Sequence, residues 1–132
     1  MYDDYLIKKE KYPNSVILMK SGSFYRTYDH DAIIISYLCQ YKIIKNMLGF
    51  PVHSLSKVLK ELKCEEVNFI VDDEFNFSLE NDENYLVLFE KSLEMYKLKS
   101  RIDKIYCYLN ENIERRFVKK LIDKIEEIIN ER

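Results

Sequence analysis

Glycine and proline are scarce, two of each in 132 residues, and tryptophan is absent. So few chain-breakers exclude collagen-like and linker-rich chains and leave room for long uninterrupted elements, helices above all. Cysteine is limited to Cys39, Cys64 and Cys107, widely separated and without a C-x-x-C pair. That odd number excludes a disulfide framework. Neither His30 nor His53 stands at metal-ligand spacing to the cysteines or to the other histidine, so free, mostly buried thiols are expected, with no metal and no cofactor. Long apolar runs are missing as well: nothing approaches the roughly 18 uncharged residues of a membrane span. The opening "MYDDYLIKKEKY" lacks the apolar centre of a signal peptide, so a cytoplasmic protein is expected. Positive charge is not in excess, 21 Lys and Arg against 23 Asp and Glu for a net −2. Phosphate affinity comes mainly from clustered cations, so any contact with nucleic acid must use a local basic patch or borrow affinity from a partner.

What is present is 47% hydrophobic and 33% charged, with 11 Tyr and 7 Phe, the composition of a folded, helix-rich protein. The length suits one core with an appendage. Tyr2, Tyr5, Leu6 and Lys9 recur at helical spacing up to Pro13, predicting a short first helix. "SVILMK" (15–20) is bounded by "PN" and "SGS" and reads as a buried strand reversing at Gly22. "SFYRTY" alternates as a returning strand would, so the two form a hairpin. "DHDAIIISYLCQY" predicts a buried helix near 31–38 with Asp29 and Asp31 as candidate caps. "YKIIKN" (41–46) predicts the next strand, and "GFP" a turn. Ser54 is a candidate cap for a helix whose face carries Leu55, Val58, Leu59 and Leu62. "EVNFIVDD" alternates as the strand that closes the sheet.

Beyond it the texture changes. "DDEFNFSLENDEN" is acidic and turn-prone, and everything after it is helical. Met95, Leu98, Ile102, Ile105 and Leu109 form one seam, while Ile113, Phe117, Leu121, Ile125 and Ile128 form another, with Asn110 or Asn112 between them as a cap, predicting an αα-hairpin. The expected division is 1–74 for an α/β domain, 75–83 for an acidic connector and 84–132 for a helical hairpin.

The first half, "YLIKKEKYPNSVILMKSGSFYRTYDHDA" followed by "GFPVHSLSKVLKEL" and "VNFIV", resembles the N-terminal mismatch-recognition domain, domain I, of MutS DNA mismatch-repair proteins. That family shows a helix ending in His-Pro or Tyr-Pro and an apolar strand running into Gly-Asp-Phe-Tyr-Glu. A helix follows, then Gly-x-Pro-x-His before another helix and strand. Gly22, Phe24, Tyr25, Gly49, Pro51 and His53 match in order, over about residues 2 to 72. The fold implied is α/β (α+β): a mixed β-sheet with flanking helices, here followed by the two-helix hairpin. The resemblance also implies a non-enzymatic nucleic-acid-binding module. In the family the aromatic at the position of Phe24 stacks on a mispaired base and wedges the step apart.

Two departures bear on that implication. Ser23 stands where the family carries Asp, and Arg26 where it carries Glu. The second exchange turns an acceptor-only carboxylate into a donor-only guanidinium, so Arg26 would pair with a phosphate or a minor-groove acceptor instead. Candidate nucleic-acid-binding residues are Phe24, Arg26, Lys20 and Tyr25, with Arg115, Arg116, Lys119 and Lys120 as a secondary basic patch that otherwise serves as a solvated face. No G-x-x-x-x-G-K-[ST] phosphate loop occurs, so no ATPase is expected. No nucleophile, base and orienter stand at recognisable spacing either, and an enzyme is not expected. The competing expectation is a scaffold that keeps the fold and docks a protein partner or a second copy through 84–132, as an accessory to a mobile-element polymerase.

Overall fold

The computed structural model describes residues 1–72 and 75–131. They divide into two compact units, Met1–Tyr96 and Lys97–Arg132. The first opens with helix α1 (Tyr2–Lys11), the hairpin β1 (Val16–Ser21) and β2 (Phe24–Tyr28), and helix α2 (Asp29–Cys39). Strand β3 (Met47–Pro51), a single 3-10 turn at Val52–Ser54, helix α3 (Leu55–Cys64), and strands β4 (Phe69–Val71) and β5 (Phe75–Phe77) follow. Helix α4 (Glu83–Glu111) starts in this unit, and α5 (Arg116–Asn130) belongs to the second. Among the described residues no helix is long and apolar enough to cross a membrane.

The sheet is mixed, in the order β3-β2-β1-β4-β5, with β1 and β4 parallel and every other pair antiparallel. Central position explains why β1 reads as a solid apolar run: Val16, Ile17, Leu18 and Met19 are all buried, because both faces of the sheet are covered. Strand alternation sends Val16 and Leu18 into one core with Tyr25, Leu48, Phe50, Phe69 and Val71, to which α2 and α3 add Ile34, Ile35, Val58 and Leu62. Ile17 and Met19 point the other way, into a smaller core with Tyr28 and with Tyr5 of α1.

Four expectations are corrected. Residues 41–46 form no strand: Ile44 and Met47 exchange backbone hydrogen bonds of 2.8 and 3.0 Å around Lys45 and Asn46, both with positive φ, as in a type I′ turn. The strand is displaced into 47–51 and absorbs "GFP", which was expected to turn. Pro51 is tolerated because β3 is an edge strand and Pro51 ends it. The segment around β4 does not close the sheet, since β5 pairs outside it and Phe77 stacks on Phe69 at 5.3 Å. The acidic stretch therefore contains a strand, although Asp73 and Glu74 lie outside the described residues. Of the expected caps, Ser54 stands at the N-cap of α3 as expected, whereas Asp29, Asp31 and the two asparagines do not cap α2 or α5. Tyr28, Ser54 and Arg115 occupy the N-cap positions of α2, α3 and α5, none with a side-chain capping bond, and Asn112 donates back to the Tyr108 carbonyl at 2.8 Å.

The first turns of α4 belong to the α/β core. Tyr85, Leu88 and Ser92 are buried and Phe89 stacks on His30 at 4.0 Å. In the second unit Tyr108 meets Phe117 at 6.2 Å and Val118 is buried. The stripe expected as a closed seam is largely uncovered, with Ile102 and Ile105 more than half exposed. The thiols are mixed rather than mostly buried: Cys39 is buried, which raises its pKa, whereas Cys64 and Cys107 are exposed.

Candidate nucleic-acid interface

Gly22 and Ser23 form the two-residue loop between β1 and β2, closed by the pair Ser21–Phe24. Of the two loop residues only Gly22 has positive φ, +62°, as the first central position of a type II′ hairpin turn requires. Open space surrounds a Cβ built there, so Gly22→Ala meets backbone strain and no clash. We expect it to lower stability by about 1 to 2 kcal/mol, measured as a shift in urea midpoint.

The turn is held from one side. Val52 N–H donates to the Ser23 carbonyl at 3.0 Å, and Phe24 pairs with Pro51, Tyr25 with Phe50 and Arg26 with Gly49. The Gly49-to-His53 segment thus supports the hairpin tip, and His53 itself is an exposed residue of the 3-10 turn.

Alternation sorts the candidate residues onto two faces. Phe24 and Arg26 share the α1 side of the sheet, where Phe24 is 45% exposed and flanked in register by Ser21 and Pro51. Its neighbours are small, and among the described residues its ring meets no other aromatic. Arg26 is half-buried, opposite Met19 and Gly49, and has no hydrogen-bond or ion-pair partner among the described residues. Tyr25 and Lys20 pair with each other in register and face the opposite side. Tyr25 is buried and stacks on Phe50 at 5.9 Å, so it supports the strand from within the core and offers no ring to a base. Lys20 is exposed, on the far side from Phe24. Of the four hairpin candidates, Phe24 and Arg26 share one face and Lys20 and Tyr25 the other.

The sequence reading missed what lies behind this hairpin. Asp31 is fully buried and its carboxylate accepts four donors. The Tyr5 hydroxyl (2.6 Å) and the Ile17 amide (3.1 Å) reach Oδ2, and Lys9 Nζ (2.7 Å) and the Tyr85 hydroxyl (2.5 Å) reach Oδ1. Lys9 is equally satisfied, donating also to the Ser15 carbonyl at 2.7 Å and to Tyr85 Oη at 3.0 Å. One carboxylate therefore ties α1, β1, α2 and α4 together. The available signal was an acid at the head of the apolar run "AIIIS", read instead as a cap.

Burial raises the pKa of Tyr5 and of Tyr85, reinforced by the Asp31 charge, and burial lowers that of Lys9 against the same carboxylate. The signs are opposite. Above about pH 10 the unfolded tyrosines ionise while the folded ones stay protonated, so each removes up to about 1.4 kcal/mol per pH unit. Lys9 adds stability as pH rises from its lowered folded value to its unfolded one near 10.4, and nothing further above that. Urea midpoints should hold up to about pH 10 and then fall steeply in the native chain, a fall that flattens in Tyr5→Phe/Tyr85→Phe.

A mixed five-stranded sheet with helices on both faces, holding one aromatic ring and one unpaired arginine out beside its central turn, defines the class: a small α/β domain with an exposed hairpin tip. The chain belongs to the MutS domain I family, which matches residues 1–68. It is similar to the DNA mismatch repair protein MutS of Petrotoga mobilis, 38% identical over 47% of this chain and 8% of that protein. The corresponding protein of Thermosipho melanesiensis is 36% identical over the same shares. That of Fervidobacterium nodosum is 27% identical over 97% of this chain and 18% of its own length. The chain thus spans less than a fifth of these relatives.

Proposed function

We propose that this chain is a non-enzymatic DNA-binding module that engages distorted or mismatched duplexes by inserting Phe24 from the minor groove, with Arg26 beside it on a phosphate or a groove acceptor. The observation that carries this reading is the half-exposed Phe24 ring, held at a pinned turn on the same face as an unpaired arginine, in a chain of the MutS domain I family. An inserted apolar side chain unstacks one base step, which costs least where the step is already mispaired or bulged. Lys20, Tyr25 and the basic cluster of Arg115, Arg116, Lys119 and Lys120 were further candidates. Of these, Lys20 can reach only a backbone that wraps past the opposite face.

Fluorescence titration with homoduplex, mismatched and bulged DNA tests the reading. The bulged and mismatched duplexes should bind more tightly than homoduplex. Equal, millimolar binding to all three, unchanged in Phe24→Ala, would refute it. Arg26→Ala should weaken binding to every duplex and make the slope of log affinity against log salt shallower by roughly one unit, as loss of one phosphate contact does. Arg26→Glu, which restores the family's acceptor, should lower homoduplex affinity further while widening the ratio between mismatched and matched DNA.

A second reading, docking of another polypeptide through the C-terminal helices, is favoured by the apolar side chains left exposed along Lys97–Arg132. Pull-down with and without residues 84–132 tests it, and a partner retained by the truncated chain would defeat it.

A further inference from the structure

The unit Lys97–Arg132 leaves its apolar side chains unusually bare. Leu98, Ile102 and Ile105 on α4, and Leu121, Ile125 and Ile128 on α5, are 40 to 57% exposed, and Ile105, Tyr108, Leu109, Leu121 and Ile125 line an apolar groove between the two helices. An isolated two-helix hairpin with so little buried is not a stable end point. The occupant of this face can be read from the charges that border it.

Helix α5 is charged against its own dipole. Arg115, Arg116, Lys119 and Lys120 crowd its positive N-terminal end, with no acid in the first turn, and Glu126, Glu127 and Glu131 crowd the negative C-terminal end, with no base in the last. Within the described residues the ion pair of this helix is Lys119–Asp123 at 3.2 Å, and Arg116, Lys120, Glu127 and Glu131 enter none. At 100° per residue those four fall on one flank of the stripe that carries Phe117, Leu121, Ile125 and Ile128. A helix lying antiparallel to α5 with the same sequence would set Arg116 against Glu131 and Lys120 against Glu127, twice, about a two-fold axis through the middle of α5. Each end would then also meet the charge that its dipole favours.

We infer that the exposed face of Lys97–Arg132 is a self-association surface, which pairs antiparallel with the same face of a second copy to make a four-helix bundle. The two-fold is isologous, so each apolar side chain fills the partner's groove as its own groove is filled. Two such stripes brought together remove on the order of 1,200 Å² of surface, at the lower edge of stable specific interfaces, which makes the dimer concentration-dependent. The inference sharpens the docking reading of these helices by naming the occupant and is independent of the DNA reading.

Sedimentation equilibrium of the full chain over micromolar concentrations is the test. The native chain should dimerise, and Arg116→Glu/Lys120→Glu and Glu127→Lys/Glu131→Lys should each weaken dimerisation at least tenfold. The quadruple variant, with both ends reversed, should recover it. Each double variant places better charge at a helix end, so far-UV helicity should hold or rise and unfolding cannot account for the loss. A monomeric native chain at every concentration overturns the inference, yet leaves docking of a different protein to stand or fall by pull-down. Additive loss in the quadruple variant overturns the antiparallel pairing. Loss of DNA affinity in Arg116→Glu/Lys120→Glu with sedimentation unchanged also overturns it and assigns the basic cluster to DNA.

Discussion

Asp31→Ala should cost this protein about 3 to 5 kcal/mol, a large part of the 5 to 15 kcal/mol that holds an ordinary domain together. The magnitude follows from what is left behind. Lys9 Nζ, with its side chain only 19% exposed, would lose its counter-charge inside the protein, and the Tyr5 hydroxyl, the Tyr85 hydroxyl and the Ile17 amide would each lose an acceptor. A buried charge stripped of its partner and a buried donor left unmade are both more costly than the net worth of the pair they came from. Lys9→Met likewise strips the fully buried Asp31 carboxylate of its counter-charge but leaves it three donors, so its cost should be of the same order and somewhat smaller. Urea denaturation resolves the two: Asp31→Ala should move the midpoint further than Lys9→Met, and a larger shift in Lys9→Met would mean that the carboxylate is not the hub. Tyr85→Phe loses the bond donated to the Asp31 carboxylate and the one accepted from Lys9, and should cost about 1.5 to 3 kcal/mol, the range for hydrogen bonds to charged groups.

Tyr85 is informative for another reason. It lies outside the residues that match MutS domain I, yet it completes the network that fixes the hairpin and α2. The first turns of α4 are thereby joined to the α/β core through a polar contact as well as through Leu88 and Phe89.

Local patterns in the sequence were legible wherever one physical effect dominated. The apolar run at β1, the Gly22 turn and the amphipathic α3 each follow from burial or backbone sterics acting within a few residues, and each lies where expected. Misreadings came where distant residues decide. "KIIKN" has the composition of a strand, but Lys45 and Asn46 turn with positive φ because the next five residues find a better partner in β2. β5 is three residues long, and only its pairing with β4 defines it. Asp31 matches a helix cap in local sequence, and nothing local announces that Tyr5, Lys9 and Tyr85 converge on it. At the candidate interface, the order Gly22, Phe24, Gly49, Pro51 pointed to the hairpin tip, and alternation along one strand already parts Tyr25 from Phe24 and Arg26, whereas placing Lys20 with Tyr25 needs the register. Register is a tertiary fact, set here by the two-residue turn.

That separation focuses the candidate interface on one ring, and on the proposed reading Phe24→Ala should abolish most of the preference for distorted DNA. Stacking of a base on an aromatic side chain is worth about 1 to 3 kcal/mol, which corresponds to a loss of roughly 5- to 150-fold in affinity for a bulged or mismatched duplex. Homoduplex, where the step resists unstacking and the ring gains little, should change by less than threefold. Phe24→Trp keeps a stacking face and should retain the preference, whereas Phe24→Leu keeps apolar bulk without a π-face and should fall between the two. The substitution should be nearly silent in stability, since the ring is 45% exposed and packs on no other aromatic among the described residues. Binding loss with an unchanged urea midpoint is therefore the expected signature. A comparable loss on homoduplex, or a large fall in stability, would show instead that Phe24 props the turn and that contact with DNA is made elsewhere.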